Sequence, residues 1–311
     1  MSETYFKQAA ITGASGIIGR YIVKDLLAAG WHVRILSRQL QDWSDQPNVQ
    51  VVVADINNQD ALEKLLAGAS AVFHCAAELH DETRMHEVNV LGTACLLRAL
   101  LVTSTVKYFS YLSSAGVIGP SLAHSIDENS ECHPSNEYER TKYKAERMVA
   151  DAGLNMQVCI LRPGNVFDSD SPGLVILPLE NTIKHKILLF IKGNEGAHLI
   201  HAKDVAAAAL FFMHKKLSKI EIFFLSYDDD KRNTVSGVYR LFRSFSSERR
   251  RCCFFSLPDS IPYIMRKLRH GNSLHGGVRF SEDKLRSFGF IFPLGLEASL
   301  KLVYNSRKLL N

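Results

Sequence analysis

A chain of 311 residues, 46% of them apolar and 22% charged, can bury a large core unaided, and its composition excludes a disordered or fibrous protein. The formal charge of +5 gathers late, in Arg249, Arg250 and Arg251 and again in Arg266, Lys267 and Arg269. Such runs can attract nucleic acid, anionic lipid or a phosphorylated ligand, but they are most often solvated faces, so no nucleic-acid partner is expected.

The first half alternates short apolar runs with helical patterns. Strands are predicted over Gln8–Thr12, Val33–Leu36, Val49–Ala54, Ala71–Cys75, Lys107–Leu112 and Gln157–Leu161, with helices over Gly16–Ala29, Gln59–Leu66, Met85–Leu101 and Ser135–Ala150. Repeated strand–helix units predict an α/β, Rossmann-like doubly wound parallel sheet. After Pro163 the rhythm loosens around Pro172, Gly173, Pro178, Gly193 and Gly196, leaving a helix at Asp204–His214 and a strand at Glu221–Leu225. The reading is a dinucleotide-binding domain over 1–165 and a smaller substrate-binding lobe over 166–311, interleaved with the first and capping the sheet edge where such folds bind ligands.

Six cysteines show no CxxC pair and no zinc-like histidine spacing, so no metal site is expected and the thiols read as reduced. No run approaches the roughly 18 apolar residues of a membrane span, and the early first strand leaves no room for a signal peptide; a cytoplasmic location is expected.

Between the first strand and helix stand Thr12, Gly13, Ala14, Ser15, Gly16, Ile17, Ile18 and Gly19. Glycines at 13, 16 and 19 permit a tight turn, close approach of backbone to a pyrophosphate and close helix–strand packing, while the helix N-terminus offers amide donors. About 120 residues later, Tyr138 and Lys142 lie one helical turn apart on one face. An ammonium there favours the phenolate and should lower the Tyr138 pKa from about 10, making the phenol usable as an acid or base. A hydroxyl at the end of the preceding strand could hydrogen-bond a substrate oxygen; Ser113 and Ser114 both stand there, and either could merely satisfy a turn.

The Thr-Gly-x-x-Gly-x-x-Gly spacing and the Tyr/Lys pair resemble the short-chain dehydrogenase/reductase superfamily, and the match, over about residues 8–210, is closest to its extended branch of sugar-nucleotide epimerases and dehydratases. On that resemblance Ser114, five residues before Gly119, is the catalytic serine beside Tyr138 and Lys142. It also implies cofactor contacts from Gly13, Ser15, Gly16, Ile17, Gly19, Tyr138 and Lys142, from Asp55 and Ile56 at adenine, from Ala76 and Ala77 beside nicotinamide, and from Asn89 and Pro163. Asn165 resembles an asparagine near the substrate diphosphate, and Arg279 a phosphate-pairing arginine. Bland readings stand beside these: Asp55 and Asp204 as helix caps, His74 and His201 as satisfied buried histidines, Arg162 as an ion-pair member.

The resemblance implies hydride transfer at a hydroxyl or keto carbon of a nucleotide-linked sugar. A second reading is an NADPH-dependent reductase or dehydrogenase of an apolar ketone or alcohol, similar to dihydroflavonol reductases and 3β-hydroxysteroid dehydrogenases, in which Phe211, Phe212, Phe223, Phe224, Phe254 and Phe255 could line the pocket, although core packing is the commoner role for such residues. A third is a non-catalytic NAD(P)-binding regulator, which such proteins usually mark by losing the tyrosine or lysine. The end of the second predicted strand carries Ser37 and Arg38 in place of the acidic residue that selects NAD, so NADP is favoured over NAD, with Asp42 near enough to reach a ribose. Assembly as a homodimer is compatible with all three readings.

Overall fold

The computed structural model describes residues 7–40, 43, 45–121, 123–176, 183–245, 257, 258, 261 and 277–308. In chain order the strands are β1 (Gln8–Thr12), β2 (His32–Ser37), β3 (Val49–Val53), β4 (Ala71–His74), β5 (Tyr108–Leu112), β6 (Ser125–Ile126), β7 (Gln157–Pro163), β8 (Asn165–Phe167), β9 (Leu199–His201), β10 (Ile220–Leu225) and β11 (Arg279–Phe280). The helices are α1 (Gly19–Ala28), α2 (Gln59–Leu66), α3 (Glu82–Met85), α4 (Gly92–Leu101), α5 (Glu137–Asp151), α6 (Ile183–Lys192), α7 (Ala202–Met213), α8 (Val235–Ser244), α9 (Asp283–Ser287) and α10 (Gly295–Lys308).

The described residues form two compact units interleaved along the chain. One takes residues within 1–117, 134–162 and 206–223, the other residues within 118–133, 163–205 and 224–311.

The first unit holds the sheet, ordered β10-β7-β5-β4-β1-β2-β3. From β3 across to β7 each neighbouring pair of strands is parallel, so the predicted doubly wound parallel sheet is what the chain builds. Chain direction reverses its order between β1 and β4, the crevice where such sheets bind ligands at their carboxyl ends. Strands β1, β4 and β5 are buried at every residue, as expected where helices cover both faces.

The helices follow local rules. Asn58 caps α2 by accepting from the Ala61 amide at 3.0 Å, and Ala61, Leu62, Leu65 and Leu66 make its buried stripe. Asn136 caps α5 through the Glu139 amide at 2.9 Å, while the Glu139 carboxylate accepts from the Ser135 amide at 2.7 Å, a reciprocal arrangement like a capping box. The predicted helix over 85–101 is interrupted: α3 passes into a π turn over His86–Leu91 before α4 begins. That wider turn ends at Gly92, where a Cβ would stand 2.6 Å from an Ile56 side-chain carbon, so only glycine lets α4 approach this closely.

The second unit carries two short parallel ladders, β8 with β9 and β6 with β11. The Asp204 carboxylate accepts from the amides of Leu294 and Gly295, at 3.1 and 3.0 Å, and from the Tyr227 hydroxyl at 2.7 Å. It thus caps α10, the bland alternative weighed for it. Among the described residues no helix is long and apolar enough to cross a membrane, and no cluster of metal-ligating side chains occurs.

Candidate active site

The loop after β1 is shaped by its glycines. Gly13 has φ +70°, and a Cβ there would stand 2.5 Å from the Ala76 amide nitrogen, so the backbone of this turn rests directly on the chain leaving β4. A Cβ on Gly19 would lie 2.2 Å from the Gly13 carbonyl oxygen, which makes Gly19 the close-packing glycine of α1. The regular helix starts at Gly19, three residues later than predicted, because residues 14–18 form the turn itself.

This turn is one wall of a cleft of about 520 Å³, within the range of small-molecule and cofactor sites. Thr12, Gly13, Ser15 and Gly16 line it with Leu36, Ser37, Arg38 and Gln39 from the end of β2, and with Ala54, Asp55 and Ile56 after β3. Cys75, Ala76, Ala77 and Glu78 after β4, with Arg84 and Val88, complete the lining. A cradle that a Cβ would fill, backbone donors at a helix start and a guanidinium at the β2 end fit a nicotinamide dinucleotide. Asp55 faces the cleft while one of its oxygens accepts from the Asn57 amide at 3.0 Å. Ile17 lies in the loop just before α1. Asp42 and Phe254, Phe255 and the late arginines fall outside the described residues.

Behind the cleft is a buried polar layer. His74 accepts or donates at both ring nitrogens, to Thr12 at 2.6 Å and to Thr93 at 2.9 Å. Burial, helped by the Lys142 charge, pushes its pKa down to about 3, so it is a neutral structural tie between β1, β4 and α4. Asn89, fully buried in the π turn, accepts from the Glu78 amide at 2.7 Å and donates to the Glu78 carbonyl and the Thr141 hydroxyl. It clamps the loop after β4 to α5, standing behind the cleft lining.

Ser114, Tyr138 and Lys142 come together in the same unit. The Ser114 hydroxyl lies close enough to the Tyr138 phenol to favour its ionised form and accepts from the Gly116 amide at 3.1 Å. Ser113 points elsewhere: its hydroxyl donates to the Glu146 carboxylate at 2.5 Å. Lys142, fully buried on α5, donates to the Leu112 carbonyl and sits 4.6 Å over the Tyr111 ring. Burial pushes its pKa down to about 8, against the opposing pull of Glu146 and Cys75. The expected lowering of the Tyr138 pKa is not found. Burial raises it, the nearby Ser114 hydroxyl offsets only part, and Glu139 adds to the rise; desolvation of the phenolate decides the direction.

Glu146, one turn beyond Lys142, had no signal of its own in the sequence. It pairs with Arg162 at 2.6 and 3.1 Å, both side chains at least 96% removed from solvent. Arg162 therefore holds the structural ion-pair role weighed for it.

Pro163, Asn165 and Arg279 lie in the second unit. The Asn165 side chain donates to the Ala197 carbonyl at 2.8 Å, and its amide to the His198 carbonyl at 2.7 Å. Arg279 donates to the Asp228 carbonyl, while Asp228 binds the His198 ring at 2.7 Å. Each predicted substrate residue thus bonds the backbone at one member of the His198–Asp228 pair. The phenylalanines weighed as pocket lining are largely core: Phe212 and Phe223 are wholly buried and stacked at 4.0 Å, and Phe224 is 1% exposed.

The sequence over residues 9–223 matches the NAD dependent epimerase/dehydratase family. The mouse sterol-4-alpha-carboxylate 3-dehydrogenase, decarboxylating, is 28% identical over 220 residues, which cover 66% of this chain and 60% of the mouse protein. The curated relatives it matches first share only about half to three-fifths of their length with this chain, 52 to 60%. Among solved structures, a Thermotoga maritima UDP-glucose 4-epimerase with UDP-glucose superposes with a TM-score of 0.73 at 20% identity, covering 98% of this chain and 100% of that one. The Bordetella bronchiseptica enzyme WbmH, in complex with NAD+, gives 0.75 at 17% identity and the same coverage.

Proposed function

Because the chain belongs to the NAD dependent epimerase/dehydratase family, within the extended short-chain dehydrogenases/reductases, we propose that it is an NAD(P)-dependent oxidoreductase or epimerase acting at a hydroxyl or keto carbon of a nucleotide-linked sugar. The observation that carries the reaction class is the Ser114 hydroxyl close to the Tyr138 phenol, with the buried Lys142 one turn along α5. Tyr138 gives or takes the hydroxyl proton, and Ser114 hydrogen-bonds the same oxygen as its charge changes. The ammonium of Lys142, held by the Leu112 carbonyl, keeps positive charge beside a phenol that burial otherwise disfavours ionising. A bound nicotinamide supplies the hydride chemistry. Gly13, Ser15, Gly16, Ile17 and Gly19 hold its pyrophosphate end, Asp55 and Ile56 the adenine side, and Ala76 and Ala77 the nicotinamide side, with Asn89 and Pro163 in support. Arg38, at the cleft, favours NADP over NAD through a 2′-phosphate.

Asn165 and Arg279, joined through the His198–Asp228 pair, support a diphosphate-bearing substrate, and the burial of Phe212, Phe223 and Phe224 takes away apolar lining that a steroid or flavonoid would use. The second reading, an apolar ketone or alcohol, draws on the likeness to the mouse sterol dehydrogenase. A thermal-shift panel with NADP(H) or NAD(H) present separates the two, since a ligand that prefers the native state raises apparent stability. UDP, GDP or dTDP sugars should stabilise the protein; stabilisation only by steroid or flavonoid ketones overturns the sugar reading.

A further inference from the structure

Helix α6 inverts the usual arrangement of a surface helix. Ile183, Ile187, Phe190 and Ile191 stand at i, i+4, i+7 and i+8, which 3.6 residues per turn places in one stripe. That stripe faces outward, with exposures of 76, 53, 45 and 37%. The opposite side holds the helix in place: Leu189 is 1% exposed, and α6 packs against α8 within the same unit. The Phe190 carbonyl also accepts from the Leu257 amide at 2.9 Å.

The charge on this helix selects an occupant. Its ten residues include Lys184, His185, Lys186 and Lys192 and no carboxylate, in a chain of formal charge +5. Lys186 and Lys192 are exposed, and Lys186 stands at the edge of the apolar stripe by helical register. A second copy seated on this face would bring lysine against lysine around the contact, because an isologous interface repeats the same patch. An anionic lipid surface meets both features at once: the isoleucines and phenylalanine enter the boundary between headgroups and acyl chains, and the lysine ammoniums stay at the phosphate level on their apolar stems. At about 15 Å, α6 is too short to span a bilayer but suited to lying in its plane.

We propose that α6 docks this protein onto anionic membrane surfaces, with Ile183, Ile187, Phe190 and Ile191 as the inserted stripe. The test is co-sedimentation of the full chain with vesicles of phosphatidylcholine alone and of phosphatidylcholine with about one-third phosphatidylserine. The protein should pellet with the anionic vesicles, and about 0.5 M salt should release much of it by screening the lysines. Ile187→Glu and Phe190→Glu, both at exposed positions, should each weaken vesicle binding about tenfold or more while leaving circular dichroism and melting temperature unchanged. Lys186→Glu should weaken binding to anionic vesicles only. Failure of the unmutated protein to pellet with anionic vesicles, or indifference of its binding to Ile187→Glu, overturns the proposal. So does a dimer in light scattering that Ile187→Glu converts to monomer without any lipid binding, which would give the face to a second copy.

Discussion

Replacing Glu146 with alanine strips the buried Arg162 guanidinium of its carboxylate and leaves the Ser113 hydroxyl without its acceptor. Both charged side chains are 4% exposed or less, so water cannot take over the lost contacts. Two unit charges about 4 Å apart attract by about 4 kcal/mol at an effective dielectric near 20. Breaking a buried pair from one side typically costs about 3–5 kcal/mol, and the same figure is expected here. For a chain of 311 residues that is a fall in melting temperature of about 5–8 °C, read by calorimetry or by the urea midpoint at constant slope. Replacing both partners, Glu146→Leu with Arg162→Met, should recover most of the loss, because the desolvation penalty disappears with the charges. Glu146 also supports the Lys142 charge against burial, so Glu146→Ala should bring the Lys142 pKa below about 8. A loss under about 1 kcal/mol, or a double variant no better than the single one, would refute the reasoning.

Tyr138→Phe should lower turnover by about two to four orders of magnitude with dinucleotide affinity unchanged, measured by steady-state kinetics on a substrate found in the thermal-shift panel and by titration calorimetry; unchanged turnover would remove Tyr138 from its role. Arg38→Ala should weaken NADP(H) selectively, by about 1.5–3 kcal/mol, and equal losses for NAD(H) would sink the phosphate assignment. His74 stays neutral when folded, with a pKa of about 3 against the ordinary histidine value of 6.5. The unfolded chain therefore binds the extra proton between those values, and stability falls as pH drops through that window. By about pH 4.5 this should cost about 2–3 kcal/mol, and His74→Gln should remove that part of the pH slope; an identical slope in both proteins would show that His74 contributes nothing to it.

Local rules made the first unit legible. The short, mostly apolar runs at β1, β4 and β5 read as strands covered on both sides, and the glycines at 13, 16 and 19, set between strand and helix, mark a nucleotide-cradle turn. The Tyr138–Lys142 spacing likewise follows from helix geometry alone. The π turn over His86–Leu91 was not legible, because nothing in the local pattern distinguishes it from continuous helix. Late in the chain, short two- and three-residue strands such as β6 and β11 carry too little periodicity to register and exist only because a distant partner supplies their hydrogen bonds.

What the sequence by itself determined was therefore the alternating strands and helices of the first unit, with the side chains expected at the carboxyl ends of its strands. The tertiary structure decided how that chemistry is tuned. It turned Ser113 toward Glu146 and left Ser114 to Tyr138, brought Arg84 to the cleft, and buried Tyr138 so that its pKa rises. The reason is physical: hydrogen-bonding partners and desolvation depend on which groups meet across long stretches of chain, and spacing along one segment cannot encode them.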